Sequence, residues 1–121
     1  MIDSPFAIDY ISIMNMMPKS VQTAVEYLQC QIGDSGALFL FGSRARGANR
    51  PGGDFDIGLL PAPGTTWQQF CVWRSRAAEI AWPYRLDVVD LSRAPKEFLD
   101  VIKDEVIPLS ASIDEKRSEK A

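Results

Sequence analysis

Apolar residues recur along this chain in two rhythms, one helical and one extended. Val21, Ala24, Val25, Leu28 and Ile32 follow Pro18 at helical spacing, and Gly33 comes next as a stop, so a helix is predicted over about 18–32. Ala37-Leu38-Phe39-Leu40-Phe41 is a short unbroken apolar run and predicts a buried strand over 37–42. Residues 44–53 carry Pro51-Gly52-Gly53 and read as a loop; residues 54–60, with Ile57, Gly58, Leu59 and Leu60, read as a second strand. Past a turn at Pro61 to Gly64, Thr66 and Gln69 have the spacing of a capping box. Phe70, Trp73, Ala77, Ile80 and Ala81 then share one helical face, and Pro83 ends that helix near Trp82. Residues 84–91 read as a third strand. Pro95 opens another helix, with Phe98, Leu99, Ile102 and Val106 on one side and Pro108 at its end. From Ser110 the chain turns polar, and 110–121 is expected to be a solvated tail. Residues 1–17 hold Phe6, Ile8, Ile11, Ile13, Met14, Met16 and Met17; they predict either an extra element packed on the core or a Met-rich patch for a partner.

Connection lengths convert these elements into a topology. About eleven residues without helical pattern join the first two strands, which favours an antiparallel pair. The end of strand one then lies beside the start of strand two. A helix joins strands two and three, which favours a parallel pair with a right-handed crossover. Ser43, the Asp54/Asp56 pair and Asp87 thereby fall at one edge of the sheet. Asp90 lies three residues beyond Asp87, faces the opposite side and is expected to be structural.

The 121 residues suit one domain, spanning 1–121 with a core at about 18–107. The net charge of −3 argues against a broad nucleic-acid-binding face, although Arg44, Arg46 and Arg50 could form a local basic patch. The chain has no histidine, which removes Ser-His-Asp and Cys-His catalysis and every His-bearing metal site. Cys30 and Cys71 lack CxxC spacing and are expected to be reduced, small core residues. No run approaches the ~18 apolar residues of a membrane span, and Asp3 and Asp9 replace the basic start of a secretory signal. A cytoplasmic protein is expected.

The edge residues carry the chemistry. Glycine at 42 lets a phosphate approach the backbone, and Ser43 offers it a hydroxyl and an amide. Asp54 and Asp56 project to one face of a strand, and their hard oxygens suit Mg²⁺, which accompanies a nucleoside triphosphate. Three carboxylates so placed repel one another unless a cation intervenes. Two Mg²⁺ ions roughly 3.5–4 Å apart would clamp the attacking and leaving oxygens of an in-line displacement. In that arrangement Asp54, Asp56 and Asp87 hold metal, and Asp87 draws the proton from an attacking hydroxyl. Arg46 either neutralises phosphate or is a solvated loop charge; Arg44 leans to the surface or a partner. Arg74 and Arg76 are expected on a solvated helix face, and Trp67, Trp73 and Trp82 in the core or an interface.

Gly42-Ser43-Arg44-Ala45-Arg46-Gly47, Asp54-Phe55-Asp56-Ile57 and Leu86-Asp87-Val88-Val89-Asp90-Leu91 resemble the minimal nucleotidyltransferases of the polymerase-β-like superfamily, over roughly residues 18–107. The resemblance implies a small α/β (α+β) nucleotidyltransferase core, a mixed sheet with helices packed on one face. It implies that Gly42 and Ser43 contact the triphosphate of ATP, and that Asp54, Asp56 and Asp87 are the metal and catalytic carboxylates. Many such proteins are antitoxins encoded beside a HEPN-domain ribonuclease toxin, and move AMP from ATP onto a tyrosine of that toxin. The implied partner is therefore a HEPN toxin, and the implied activity protein adenylylation. Two features depart from the family pattern: Gly53 stands where many relatives have Ser, and the C-terminal part lacks their Gly-hydrophobic-Tyr ending. Two other functions remain open, a binding module that neutralises its partner by contact alone, and a transferase acting on a small molecule such as an aminoglycoside.

Overall fold

The structure, a computed structural model, describes residues 10–42, 54–104 and 106–109. The elements run α1 (Tyr10–Asn15), α2 (Lys19–Ile32), a 3-10 turn (Gly33–Ser35), β1 (Ala37–Phe41), β2 (Phe55–Leu60), α3 (Trp67–Ala81), β3 (Leu86–Asp90), α4 (Lys96–Ile102) and β4 (Ile107–Pro108). The loop expected at 44–53 and the tail expected at 110–121 lie outside the described residues.

The four strands form a mixed sheet in the order β3-β2-β1-β4. β1 pairs antiparallel with β2, and β2 parallel with β3, as the connection lengths predict. Alternation then sorts the side chains. Leu38 and Leu40 of β1, Phe55, Ile57 and Leu59 of β2, and Leu86 and Val88 of β3 turn into the main core. Val21, Ala24, Val25, Leu28 and Ile32 of α2 meet them, as do Phe70, Ala77 and Ala81 of α3. Burying one such Leu or Ile contributes about 2–3 kcal/mol, so this layer sets the strand register. α3 starts where its capping box says it should: Gln69 N–H donates to Thr66 Oγ1 (3.1 Å), and Thr66 N–H donates to Gln69 Oε1 (3.0 Å). Ser20 Oγ donates to the Ala81 carbonyl at 2.9 Å and ties the start of α2 to the end of α3.

Ile13, Met14 and Met17 are buried in the same core, so the α1 region is an added packing element, with Ile11 and Met16 left exposed. Among the described residues no helix is long and apolar enough to cross a membrane.

Two expectations are corrected. The last helix stops at Ile102 and does not reach Val106; Ile107–Pro108 instead add a short strand to β1. Leu109 N–H donates to the Leu38 carbonyl at 2.8 Å, and Ile107 opposite Leu40 turns into the core. Pro108 is tolerated because β4 is an edge strand, where one row of amides needs no partner. Phe98 of α4 meets Phe41 edge-on, with ring centroids 5.6 Å apart. Phe41 points away from the Leu38/Leu40 side, so α1–α3 cover one face while Phe98 touches the other. The second is Cys30, which is exposed on α2; Cys71 is partly buried against the core, and neither forms a disulfide.

Candidate active site

The register places one row of side chains across three strands: Phe41 opposite Asp56, and Asp56 opposite Asp87. Directly opposed residues on neighbouring strands bring their Cβ atoms to about 4.5–5.5 Å, and like charges there repel. Asp54 lies two residues before Asp56 and so follows the same alternation. Asp54 and Asp56 are half-buried, and Asp87 is exposed. Burial pushes the Asp56 carboxyl above its ordinary value of 3.8, and the charges of Asp87 and then Asp54 push it the same way. The three carboxylates expected at one sheet edge therefore do share a field. Among the described residues, however, no three His, Cys, Asp or Glu side chains close into a metal-holding group. The oxygens that could hold a cation on this face are those of Asp54, Asp56 and Asp87.

Gly42 is shaped by this row. Its φ is +79°, a conformation that side chains rarely adopt, and a Cβ there would overlap Asp56 Oδ2. Glycine is thus required twice, by the turn and by the carboxylate that occupies the space. Ser43 and Arg46, the other expected triphosphate contacts, lie outside the described residues, as do Arg44 and Arg50.

Arg85 joins this face, a residue that no motif in the sequence marks. Its carbonyl accepts the Phe55 N–H at 2.9 Å, which fixes it beside Asp54. Its Nε lies 3.6 Å from Asp54 Oδ1, an exposed ion pair that stabilises little by itself but sets a cation among the carboxylates. The signal was available: Arg85 is two residues from Asp87 and shares its face.

Asp90 behaves as expected. It is 7% exposed, and its Oδ1 accepts from Ser92 N–H (2.9 Å) and Ser92 Oγ (2.6 Å). Its Oδ2 lies 3.3 Å from Arg93 Nε, and Arg93 in turn covers the Trp67 ring at 5.0 Å. Asp90 thus ties the turn after β3 and leaves the Asp87 face alone. Arg74 is exposed, as expected, and its guanidinium lies over Trp67 and Phe70 at 5.8 and 5.6 Å.

A protein-family profile described as polymerase beta, nucleotidyltransferase matches residues 22–112. The chain belongs to the polymerase beta nucleotidyltransferase family. This nucleotidyltransferase has the fold of several solved structures. One is a toxin–antitoxin complex with AMP-PNP, 19% identical, with a TM-score of 0.61, covering 83% of this chain and 79% of that one. Another is a minimal nucleotidyltransferase, 22% identical, with a TM-score of 0.59, covering 75% of this chain and 94% of that one. A third, from Shewanella oneidensis, is a tri-AMPylated HEPN toxin in complex with its MNT antitoxin; it is 18% identical, with a TM-score of 0.59, covering 86% of this chain and 77% of that one. No curated protein matches the chain.

Proposed function

We propose that this nucleotidyltransferase moves AMP from ATP onto a hydroxyl, probed first as a tyrosine, of a partner HEPN toxin in the cytoplasm, and is that toxin's antitoxin. The observation that supports it most is the row of Asp56 and Asp87 on adjacent strands, with Asp54 on the same face and Gly42 pressed against Asp56. An attacking oxygen bonds to the α-phosphorus of ATP while the bond to pyrophosphate breaks. Asp87, the exposed carboxylate of the three, is placed to take the proton of the incoming hydroxyl. Gly42 keeps the backbone close to the phosphates, and Ser43 and Arg46 would donate to them.

The donor set is all carboxylate oxygen, on a face where like charges crowd Asp56, and this suits a hard divalent cation. Asp54, Asp56 and Asp87 would hold Mg²⁺, in two ions, which when bound supplies charge neutralisation for the developing and departing oxygens. Arg85, beside Asp54, adds a fixed positive charge to the same face.

Incubating the chain with labelled ATP, Mg²⁺ and the HEPN protein encoded beside it should label that protein. No label with wild type, or equal label with Asp54→Ala/Asp56→Ala, contradicts the proposal. A second reading is an antitoxin that acts by contact alone, favoured by Ile11 and Met16, which are exposed on and beside α1. It requires the double Asp variant to protect cells from the toxin as well as wild type does.

A further inference from the structure

β3 is an outer strand of the sheet, and its free edge lies in a groove. The cavity there is about 310 Å³, lined by Trp67, Phe70 and Arg74 of α3, by Phe98 of α4 and by residues 88–90 of β3 between them. The ladder bonds tell which backbone groups face it. Phe55 N–H donates to the Arg85 carbonyl (2.9 Å), and Leu91 N–H donates to the Leu59 carbonyl (2.9 Å). Bonds in a parallel ladder fall on every second residue, so residues 85, 87, 89 and 91 bond to β2, and the amides and carbonyls of Leu86, Val88 and Asp90 point off the sheet. The Asp90 carbonyl is taken by Arg93 N–H (3.1 Å). Val88 has no strand beside it on that edge among the described residues.

The same groove holds two cations, in a chain whose net charge is −3. Arg93 is committed to Asp90 through Nε (3.3 Å). Arg74 is exposed and, among the described residues, pairs with no carboxylate. Both guanidiniums lie against the Trp67 ring, at 5.8 Å for Arg74 and 5.0 Å for Arg93. Trp67 in turn stacks on Phe70, with centroids 5.2 Å apart, so the free cation is held in place before any ligand arrives.

We propose that this groove holds an extended, acidic segment of the partner polypeptide as an added strand beside β3. The free edge takes backbone, the Trp67 and Phe98 rings take alternate side chains, and Arg74 takes a carboxylate. A second copy is a poor occupant, because its own β3 edge carries the same two guanidiniums. The acid belongs on the α3 side, since Asp87 faces the other side of the sheet with Asp54 and Asp56. The groove still borders the site: Val89 shares the face of Asp87, and Phe98 touches Phe41, which lies opposite Asp56. A partner anchored here by one segment has others within reach of Asp87. This rests on the partner reading above, and it says by what chemistry that partner is held.

The test is titration of the HEPN protein into the Asp54→Ala/Asp56→Ala chain, with Arg74→Glu or Ala94→Glu added. The first reverses the free cation; the second sets a carboxylate in the groove and leaves both arginines in place. Kd at low salt should rise about tenfold or more in each, and the gap should narrow as salt is raised. On binding, hydrogen exchange of the Val88 amide, followed by NMR, should slow as strand addition requires. Unchanged Kd in both variants overturns the inference, and so does a Val88 amide that stays unprotected at saturation. A change confined to self-association gives the groove to a second copy and overturns it too. The two readings fail separately. If wild type transfers AMP and both groove variants bind normally, adenylylation stands and the groove falls; a groove-dependent complex in which wild type transfers no AMP does the reverse. A HEPN protein that does not bind the chain removes both.

Discussion

Gly42→Ala is the sharpest perturbation of the site that leaves every carboxylate in place. Two costs are separable. The first is conformational: holding an alanine near φ +79° costs about 1–2 kcal/mol. In a domain of this size that lowers Tm by roughly 3–12 °C. The second is steric. The new methyl would overlap Asp56 Oδ2 and sit 3.3 Å from Asp56 Cγ, so the carboxylate must move by about 1 Å to restore ordinary contact. A displacement of that size at a reacting centre costs about 10²-fold in rate. Gly64→Ala isolates the first cost: its φ is +90°, and nothing lies within 4 Å of a Cβ built there. Thermal denaturation should therefore show comparable losses in the two variants. AMP transfer should fall about 100-fold in Gly42→Ala and stay near wild type in Gly64→Ala. Equal activity in the two variants, once both are assayed below their melting temperatures, refutes the link between Gly42 and the Asp56 position.

The raised Asp56 carboxyl has a stability consequence with a definite sign. A group titrating higher in the folded chain than unfolded contributes stability below its unfolded value of 3.8, and that contribution is lost as pH rises through the folded value. Asp56→Asn should therefore raise the Tm of the metal-free chain at neutral pH, with the gain fading as pH falls toward 3.8; a gain that grows on acidification contradicts the assignment. Adding Mg²⁺ should raise the Tm of wild type and do so less for Asp56→Asn, read by the same melting curves. Asp90→Ala removes a buried carboxylate and the two hydrogen bonds it accepts from Ser92, so it should cost about 2–3 kcal/mol in denaturant unfolding while transfer at permissive temperature persists.

Much of this arrangement was legible because local chemistry and tertiary demands agree. The α2 stripe at Val21, Ala24, Val25, Leu28 and Ile32 is buried residue for residue, and the Thr66/Gln69 box marks the start of α3. Connection lengths alone were enough to bring Asp56 beside Asp87, because a short irregular link and a helical crossover each leave few choices. What escaped was set by contacts at a distance. Val106 looks like the end of a helical stripe, and only pairing with β1 makes the Ile107 and Pro108 that follow it a strand. Cys30 carries no mark of its exposure, since a thiol suits either side of a helix. Arg85 shares a face with Asp87, but its tie to Asp54 is a contact across the β2–β3 pair. Gly42 carries the mark of a phosphate turn in the sequence, but its crowding by Asp56 is set by the antiparallel register.

The most direct measurement is the intact mass of the HEPN partner after co-expression with this chain. Wild type should leave the partner heavier by one or more whole AMP units, and Asp56→Ala, with the row broken at its centre, should leave it unmodified. An unmodified partner with wild type, or the same mass gain with Asp56→Ala, would contradict the account.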